Sequence, residues 1–480
     1  MNYSAKGLTV QALMDRFPAH TRPALQTKLQ QALSAFNRTI IVLDDDPTGT
    51  QTVYGVPVIT CWETAILVQE LLQKPRMLFI LTNSRALSAE ATEQLHREIA
   101  KNVIAASRQS GRDFLLVSRG DSTLRGHFPL ETETLRQTIE KETALTFDGE
   151  IICPFFLEGG RFTVENVHYL VEDGTLLPVG ESEFAKDKTF GYKNSNLCAW
   201  IEEKTEGTVA AKKVSTITLD ALRSGSDEVG KTLMAAHDFS KIVVNAISYE
   251  DLMQFVPELF SAIQAGKQFI LRSASSILQV MAGCVGGRVL SQEELQDREN
   301  HNGGIVIIGS HVKKTTRQLD RLLAGFDVDP IEFNQHLVLD RAAFEAEILR
   351  VSRAVDTAIR SGRSVAVYTR REQLDLNTTD KEEELRLATR ISDGVVQIIS
   401  GLQMRPNFII AKGGITSSDV ATKGLGILRA QVMGQILPGI PVWKAGDESK
   451  FPGMPYVIFP GNVGADTALL EAVQKLHSIY

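Results

Sequence analysis

The stretch "TIIVLDDDPTGTQTVYG", residues 39–55, decides how the chain is read. Ile40, Ile41, Val42 and Leu43 form an apolar run too short for an ordinary helix. Bounded by turn formers, such a run reads as a strand buried on both faces. It ends in three carboxylates, Asp44, Asp45 and Asp46, and then in Pro47, Thr48, Gly49 and Thr50, which favour a tight turn. The stretch therefore poses one question: what needs three aspartates at the end of a buried strand?

Working outward, similar runs recur at 77–82, 113–118, 150–156, 241–248 and 268–273, with helical periodicity between them at 88–107 and 129–142. Apolar strands alternating with amphipathic helices predict a mainly parallel, doubly wound sheet. Before the first strand, Leu13, Met14, Phe17, Leu25, Leu29, Leu33 and Phe36 have helical spacing, so residues 1–38 read as a helical extension. The polar stretch "SQEELQDRENHNGG" marks a linker at 291–304. A second series of strand-like runs follows at 304–310, 364–369, 407–414, 441–446 and 456–462. The fold expected is α/β: two doubly wound, mainly parallel-sheet domains, 39–290 and 305–480, with a substrate cleft between them. A length of 480 residues also favours two domains.

Composition narrows the partners. Hydrophobic residues make up 43%, charged residues 23%, and the net charge is -7. Neither a basic stripe nor an RNA-type aromatic motif is present, so no nucleic-acid partner is expected. The four cysteines, Cys61, Cys153, Cys198 and Cys284, form no C-x-x-C pair, which fits a reducing cytoplasm. The first residues do not read as a secretory signal, and no apolar run approaches the roughly 20 residues of a membrane span. His127 and His168 lie near candidate loops without metal-ligand spacing, so no protein-built metal site is expected.

In open α/β sheets, ligands bind outside the carboxyl ends of the strands. Here those ends carry "TNSRAL" (82–87), "SRGDSTLRG" (118–126), "PFFLEGGRFT" (154–163) and "RSASS" (272–276) beside the three aspartates. Arginine grips carboxylates in a two-pronged geometry, and aspartates accept bonds from hydroxyls. A small polyhydroxy acid uses both. In the second half, three strand-to-helix turns are rich in glycine and hydroxyls: Ser310 to Thr316, Gly413 to Ser417, and Gly461 to Gly464. Such turns let backbone approach phosphates, and together they favour a nucleotide phosphate site. No P-loop, dinucleotide fingerprint or protein-kinase signature set is present.

Asp44-x-Asp46-x-Thr48 fits the D-x-D-x-T pattern of haloacid-dehalogenase-type phosphohydrolases, with Asp44 as nucleophile and Asp46 as general acid. The later acidic motif of that family is missing: Arg125 and Phe451 stand where its second aspartate belongs. A wider set of motifs resembles the four-carbon acid sugar kinase family, also described as DUF1537 proteins. Asp44 to Thr50 resembles its "ADD-x-TGA" element, and "DSTLRG" stands unchanged at 121–126. "PFFLEGGRFT" and "RSASS" resemble two more elements. Gly309-Ser310 with Thr315 and Gln318, Gly413 to Ser417, Pro438 to Pro441, and Gly461 to Gly464 continue the order through the second half. Departures are Asp44 and Thr50 for alanines, Val312 for a serine, Phe459-Pro460 where a basic residue is usual, and Val463 for a phenylalanine.

The resemblance implies an ATP-dependent kinase acting on the terminal hydroxyl of an acid sugar. Expected substrates are of the 3-oxo-tetronate, threonate or erythronate type, or a branched relative such as 3-oxo-isoapionate. The acid sugar is expected on Asp45, Thr48, Asn83, Ser84, Arg85, Ser122, Arg125, Arg161, Arg272 and Ser275, with Arg125 or Arg85 holding its carboxylate. Asp46 and Asp121 are the expected catalytic residues, and the sequence does not choose the base between them. ATP, accompanied by Mg²⁺, is expected on Ser310, Gly413, Gly414, Ile415, Thr416, Gly461 and Gly464, with Lys313 or Lys412 as further phosphate contacts. The alternatives are the phosphohydrolase and a non-catalytic binder of acid sugar and nucleotide. Homo-oligomerisation is left open.

Overall fold

The computed structural model describes residues 4–18, 22–297, 299–372, 374, 381–461 and 463–477, and only the backbone of 22, 23 and 381–385. Asn462, within the last glycine turn, lies outside the described residues. Two compact units form, one from Met1–Pro57 with Cys61–Gly287, the other from Val58–Thr60 with Arg288–Tyr480.

In chain order the strands are β1 (Thr39–Asp44), β2 (Pro57–Ile59), β3 (Met77–Leu81), β4 (Phe114–Arg119), β5 (Gly149–Cys153), β6 (Arg161–Val164), β7 (Val167–Glu172), β8 (Thr175–Pro178), β9 (Ser215–Ile217), β10 (Ser240–Val244) and β11 (Phe269–Ser273). They continue as β12 (Ile305–Ile308), β13 (Asp329–Phe333), β14 (Val365–Thr369), β15 (Ile409–Lys412), β16 (Arg429–Leu437), β17 (Ile440–Ala445) and β18 (Pro455–Phe459).

The first unit holds an all-parallel sheet in the order β3-β1-β4-β11-β5-β10-β9. Every residue of β1 is buried, as a strand covered on both faces requires. Two helices precede it, Val10–Arg16 and Arg22–Ala35. The second buries Leu25, Leu29 and Leu33, and Phe36 just beyond it stacks on Phe260 at 3.9 Å. A separate antiparallel sheet, β6-β7-β8, follows the "GGRFT" turn. The sequence does not betray it, because its strands are short and joined by turns at Glu165-Asn166 and Asp173-Gly174, all four in left-handed conformation.

The second unit runs β13-β14-β12-β15-β18 in parallel, then β17 and β16 antiparallel. The antiparallel edge joins an otherwise parallel sheet, so the unit is mainly parallel as expected. Pro438 and Gly439 turn β16 straight back into β17, Gly439 with φ +79°. A tight turn permits only antiparallel pairing, whereas a parallel neighbour needs a long crossover. Val306, Ile308, Ile410, Val457 and Phe459 pack with Leu469 and Val473 of the last helix to form the core. Within 291–304, Gln292–Leu295 forms one helical turn, capped reciprocally by Ser291 and Glu294.

Candidate functional site

Register brings the first cluster together. Asp44, the last residue of β1, lies beside Leu81 of β3 and Arg119 of β4. Arg119 Nη1 therefore reaches Asp44 Oδ1 at 3.2 Å and Asp45 Oδ1 at 3.4 Å. Asp46 caps the short 3-10 turn Pro47–Thr52: its Oδ1 accepts from the Thr48 backbone N–H at 2.9 Å and from the Thr48 hydroxyl at 2.6 Å. A Cβ at Gly49 would overlap the Asp44 carboxylate, so glycine is required for the chain to fold back on that acid.

Arg85 ties the next loop to the same place. Its guanidinium meets Asp46 Oδ2 at 2.6 Å, Asp45 Oδ1 at 3.5 Å and Asp121 Oδ1 at 3.5 Å. Asp121 Oδ2 also accepts from Arg125 Nε at 2.7 Å and from the Thr123 hydroxyl. Arg125 extends to Asp187 at 3.6 Å and lies over the Phe184 ring. The "DSTLRG" loop is anchored from below: Leu124 and Phe128 are buried, and Phe128 stacks on Trp200 at 4.5 Å. Burying two such side chains stabilises the loop by about 1.5–3 kcal/mol each.

Other expected contacts serve the scaffold. Arg272 Nη1 donates to Glu131 Oε2 at 2.6 Å and to Ser118 Oγ at 2.9 Å, and Nη2 donates to the Arg125 carbonyl at 3.3 Å. A Cβ at Gly120 or Gly126 would press on that guanidinium, so the loop is wrapped around it. Ser84 donates to Glu131 Oε1 at 2.6 Å, and Ser275 joins the Gly49 carbonyl to Arg119, both 3.3 Å away. Ser84, Ser275 and Arg272 are all buried. Asn83 starts the Ser84–Ala86 turn with φ +52°. Ser122 is nearly buried, its carbonyl accepting from His168, whose burial pushes it down to about 4. Glu131 and Asp187 went unread in the sequence, where they sit in an ordinary helix start and an ordinary polar loop.

Arg161 is the exception among the arginines. Among the described residues it pairs with no carboxylate: its Nη1 donates to the Gly159 carbonyl, and its buried Nε has no partner. It lies within electrostatic reach of Asp121, Arg125 and Tyr192, and burial depresses its pKa. The four acids are also graded. Burial, opposed by Arg119, raises Asp44 to about 8. Burial, opposed by Arg85 and Arg119, raises Asp45 to about 6, and its Oδ2 has no hydrogen-bond partner. Asp46 and Asp121 are shifted down: burial is overcome by Arg85 for the former and by Arg125 and Arg85 for the latter. Asp44 is 1% exposed, paired with Arg119 and closely covered by Gly49.

The second unit gathers its three turns around Ser310. Thr315 Oγ1 donates to the Gly461 carbonyl at 3.0 Å, and Gln318 Nε2 to the Val463 and Ala465 carbonyls at 3.1 and 2.8 Å. Lys314 Nζ reaches the Gly464 carbonyl at 3.2 Å. A Cβ at Gly413, whose φ is +119°, would lie 3.2 Å from Ser310 Cβ, and one at Gly461 would lie 3.1 Å from Ser310 Oγ. A Cβ at Gly309 would overlap Thr416 Oγ1. Gly414 opens the helix Gly414–Asp419, and Ile415 on it is 63% exposed. Arg371, unread in the sequence, donates to the Ser310 carbonyl at 2.7 Å, while among the described residues its buried Nη1 and His311 Nδ1 have no partner. Close backbone approach, hydroxyls and cations suit a polyphosphate. Among the described residues no group of three or more His, Cys, Asp or Glu could hold a metal ion.

Residues 40–281 match the family described as sugar-binding N-terminal domain, and residues 305–469 match the nucleotide-binding C-terminal domain. The chain belongs to the four-carbon acid sugar kinase family, the DUF1537 proteins. Two of the solved structures that match the chain show the same fold. One, from Salmonella typhimurium LT2 and provisionally called a tRNA synthase, is 16% identical, with TM-score 0.63 over 90% of this chain and 98% of that one. The other, a DUF1537 protein from Haemophilus influenzae, is 16% identical, with TM-score 0.58 over 90% and 99%. No curated protein matches the chain. Among the described residues no helix is long and apolar enough to cross a membrane.

Proposed function

We propose that this protein transfers the γ-phosphate of ATP to the terminal hydroxyl of a four-carbon acid sugar, of the 3-oxo-tetronate, threonate or erythronate type, or of a branched relative such as 3-oxo-isoapionate. One observation carries the reading: among the described residues, a cluster of ion-paired arginines and aspartates contains a guanidinium without an acid, Arg161, and a carboxylate oxygen without a donor, Asp45 Oδ2. Those two groups are what an acid with a reactive hydroxyl lacks in solution. Arg161 takes the substrate carboxylate, because Arg85 and Arg125 are already committed to aspartates.

Asp45 then accepts the hydroxyl proton. A base works best when its pKa lies near the working pH and an oxygen faces the proton. Asp45 has a pKa raised to about 6 and one buried oxygen, Oδ2, without a hydrogen-bond partner among the described residues. Asp46 and Asp121 have both oxygens engaged, so they hold Arg85 and Arg125 in place and orient hydroxyls. The sugar oxygen bonds to the γ-phosphorus, the bond to the bridging oxygen breaks, ADP leaves, and the proton stays on Asp45. ATP sits on the Ser310, Gly413–Thr416 and Gly461–Gly464 turns, where Lys314 and Arg371 add positive charge. Mg²⁺, when it enters with ATP, neutralises phosphate charge.

A coupled ADP-release assay over a panel of acid sugars tests this. ADP release dependent on a four-carbon or branched acid sugar is the expected result. Binding of both ligands without ADP release selects the non-catalytic alternative. Phosphate release from a phosphorylated sugar without nucleotide selects the phosphohydrolase.

A further inference from the structure

Lys412 closes β15 and is wholly buried. Register sets it between Ile308 of β12 and Phe459 of β18. Its Nζ donates to the Pro460 carbonyl at 2.9 Å and lies 4.0 Å from the centre of the Phe459 ring. Among the described residues no carboxylate pairs with it. Burying an ammonium this way is costly, and an apolar side chain of similar volume would fill the space more stably. The chain nevertheless keeps a lysine directly before Gly413, bonded to the residue directly before Gly461. It thus underlies two of the three turns gathered around Ser310.

The charges near it do not compensate it. Lys314, on the helix Lys313–Gly325, repels it, and burial together with that repulsion lowers it to about 7. Asp419, on the helix after Gly413, is taken by Ser392 and by Lys423 at 3.0 Å. His311 and Arg371, beside Ser310, bring no negative charge.

We propose that Lys412 is a positioning residue of the nucleotide site, whose buried ammonium ties the Gly413 turn to the Pro460–Gly461 turn and supplies countercharge to a bound polyphosphate from beneath. This rests on the second unit being the ATP site. A polyanion overhead favours the charged form of Lys412, so nucleotide binding takes up a proton. Affinity then falls as pH rises above about 7, by up to tenfold per unit.

The test is calorimetric titration of the full chain with ADP at about pH 8, where the phosphates are ionised, in buffers of different ionisation enthalpy. Wild type is expected to take up close to one proton per ADP. Lys412→Met is expected to fold at least as stably, bind ADP about 10–100-fold more weakly and lose the uptake. Lys412→Arg, permanently charged, is expected to keep the affinity and lose the uptake. ADP binding by wild type without proton uptake overturns the proposal, as does uptake that persists in Lys412→Arg, which decides the matter even if Lys412→Met fails to fold. Failure of wild type to bind ADP at all overturns the ATP reading itself, and this proposal with it.

Discussion

At the scale of residues, Asp44, Asp45 and Asp46 are adjacent in sequence and do three different things. Asp46 caps a turn and holds Arg85, Asp45 keeps an oxygen free, and Asp44 is sealed against Arg119. If Asp45 is the base, kcat/KM for the acid sugar at saturating ATP should rise about tenfold per pH unit up to about 6 and then level off. Asp45→Asn should lower kcat by about 100-fold or more and erase that limb. Asp44 gives a stability test. Its raised pKa means the native state holds the proton more tightly, so stability falls as pH rises from the ordinary value of 3.8 to about 8 and is flat above. Asp44→Asn carries no such penalty, so its melting temperature should gain on wild type across that window. A pH-independent difference would contradict the burial account. Arg161→Ala should raise KM for the acid about 30-fold, the loss of about 2 kcal/mol of charge-assisted bonding, and leave KM for ATP unchanged.

At the scale of elements, the strand ends are held in place by a buried pair. Glu131, at the start of the helix Leu130–Glu142, receives Arg272 from β11, Ser118 from β4 and Ser84 from the turn after β3. Removing one partner strands the other charge, so Glu131→Ala should lose about 3–5 kcal/mol in denaturant unfolding. Arg272→Met added to it should recover part of that loss. This pair also marks where the sequence stopped being legible. Arg272 and Ser84 read as substrate contacts because they stand at strand ends, yet a residue's place on a sheet edge does not say whether it points to ligand or to scaffold. Their partner Glu131 lies in "PLETETL", a plain amphipathic helix start. The parallel strands buried along their whole length were legible, because such strands must be continuously apolar, whereas the half-exposed β9 and β13 were not. The β6-β7-β8 sheet and the β16–β17 hairpin were not, since their pairing follows from turns rather than from hydrophobic runs.

At the scale of the whole molecule, the two units divide the chemistry. The first concentrates paired carboxylates and guanidinium groups, the second concentrates glycine turns, hydroxyls and cations, and the family match assigns them to sugar and nucleotide respectively. The order of motifs along the chain made that division readable. Which acid sugar fits was not readable, because it depends on distances between loops far apart in sequence. Transfer of phosphate from ATP to an acid sugar unites these roles. It is tested most directly by following the γ-phosphate by phosphorus NMR in a mixture of enzyme, ATP, Mg²⁺ and the panel's best acid sugar. The account predicts loss of the γ-phosphate signal with matching growth of a phosphomonoester on the sugar, abolished by Asp45→Asn. Growth of inorganic phosphate alone, or an ester signal undiminished in Asp45→Asn, would contradict it.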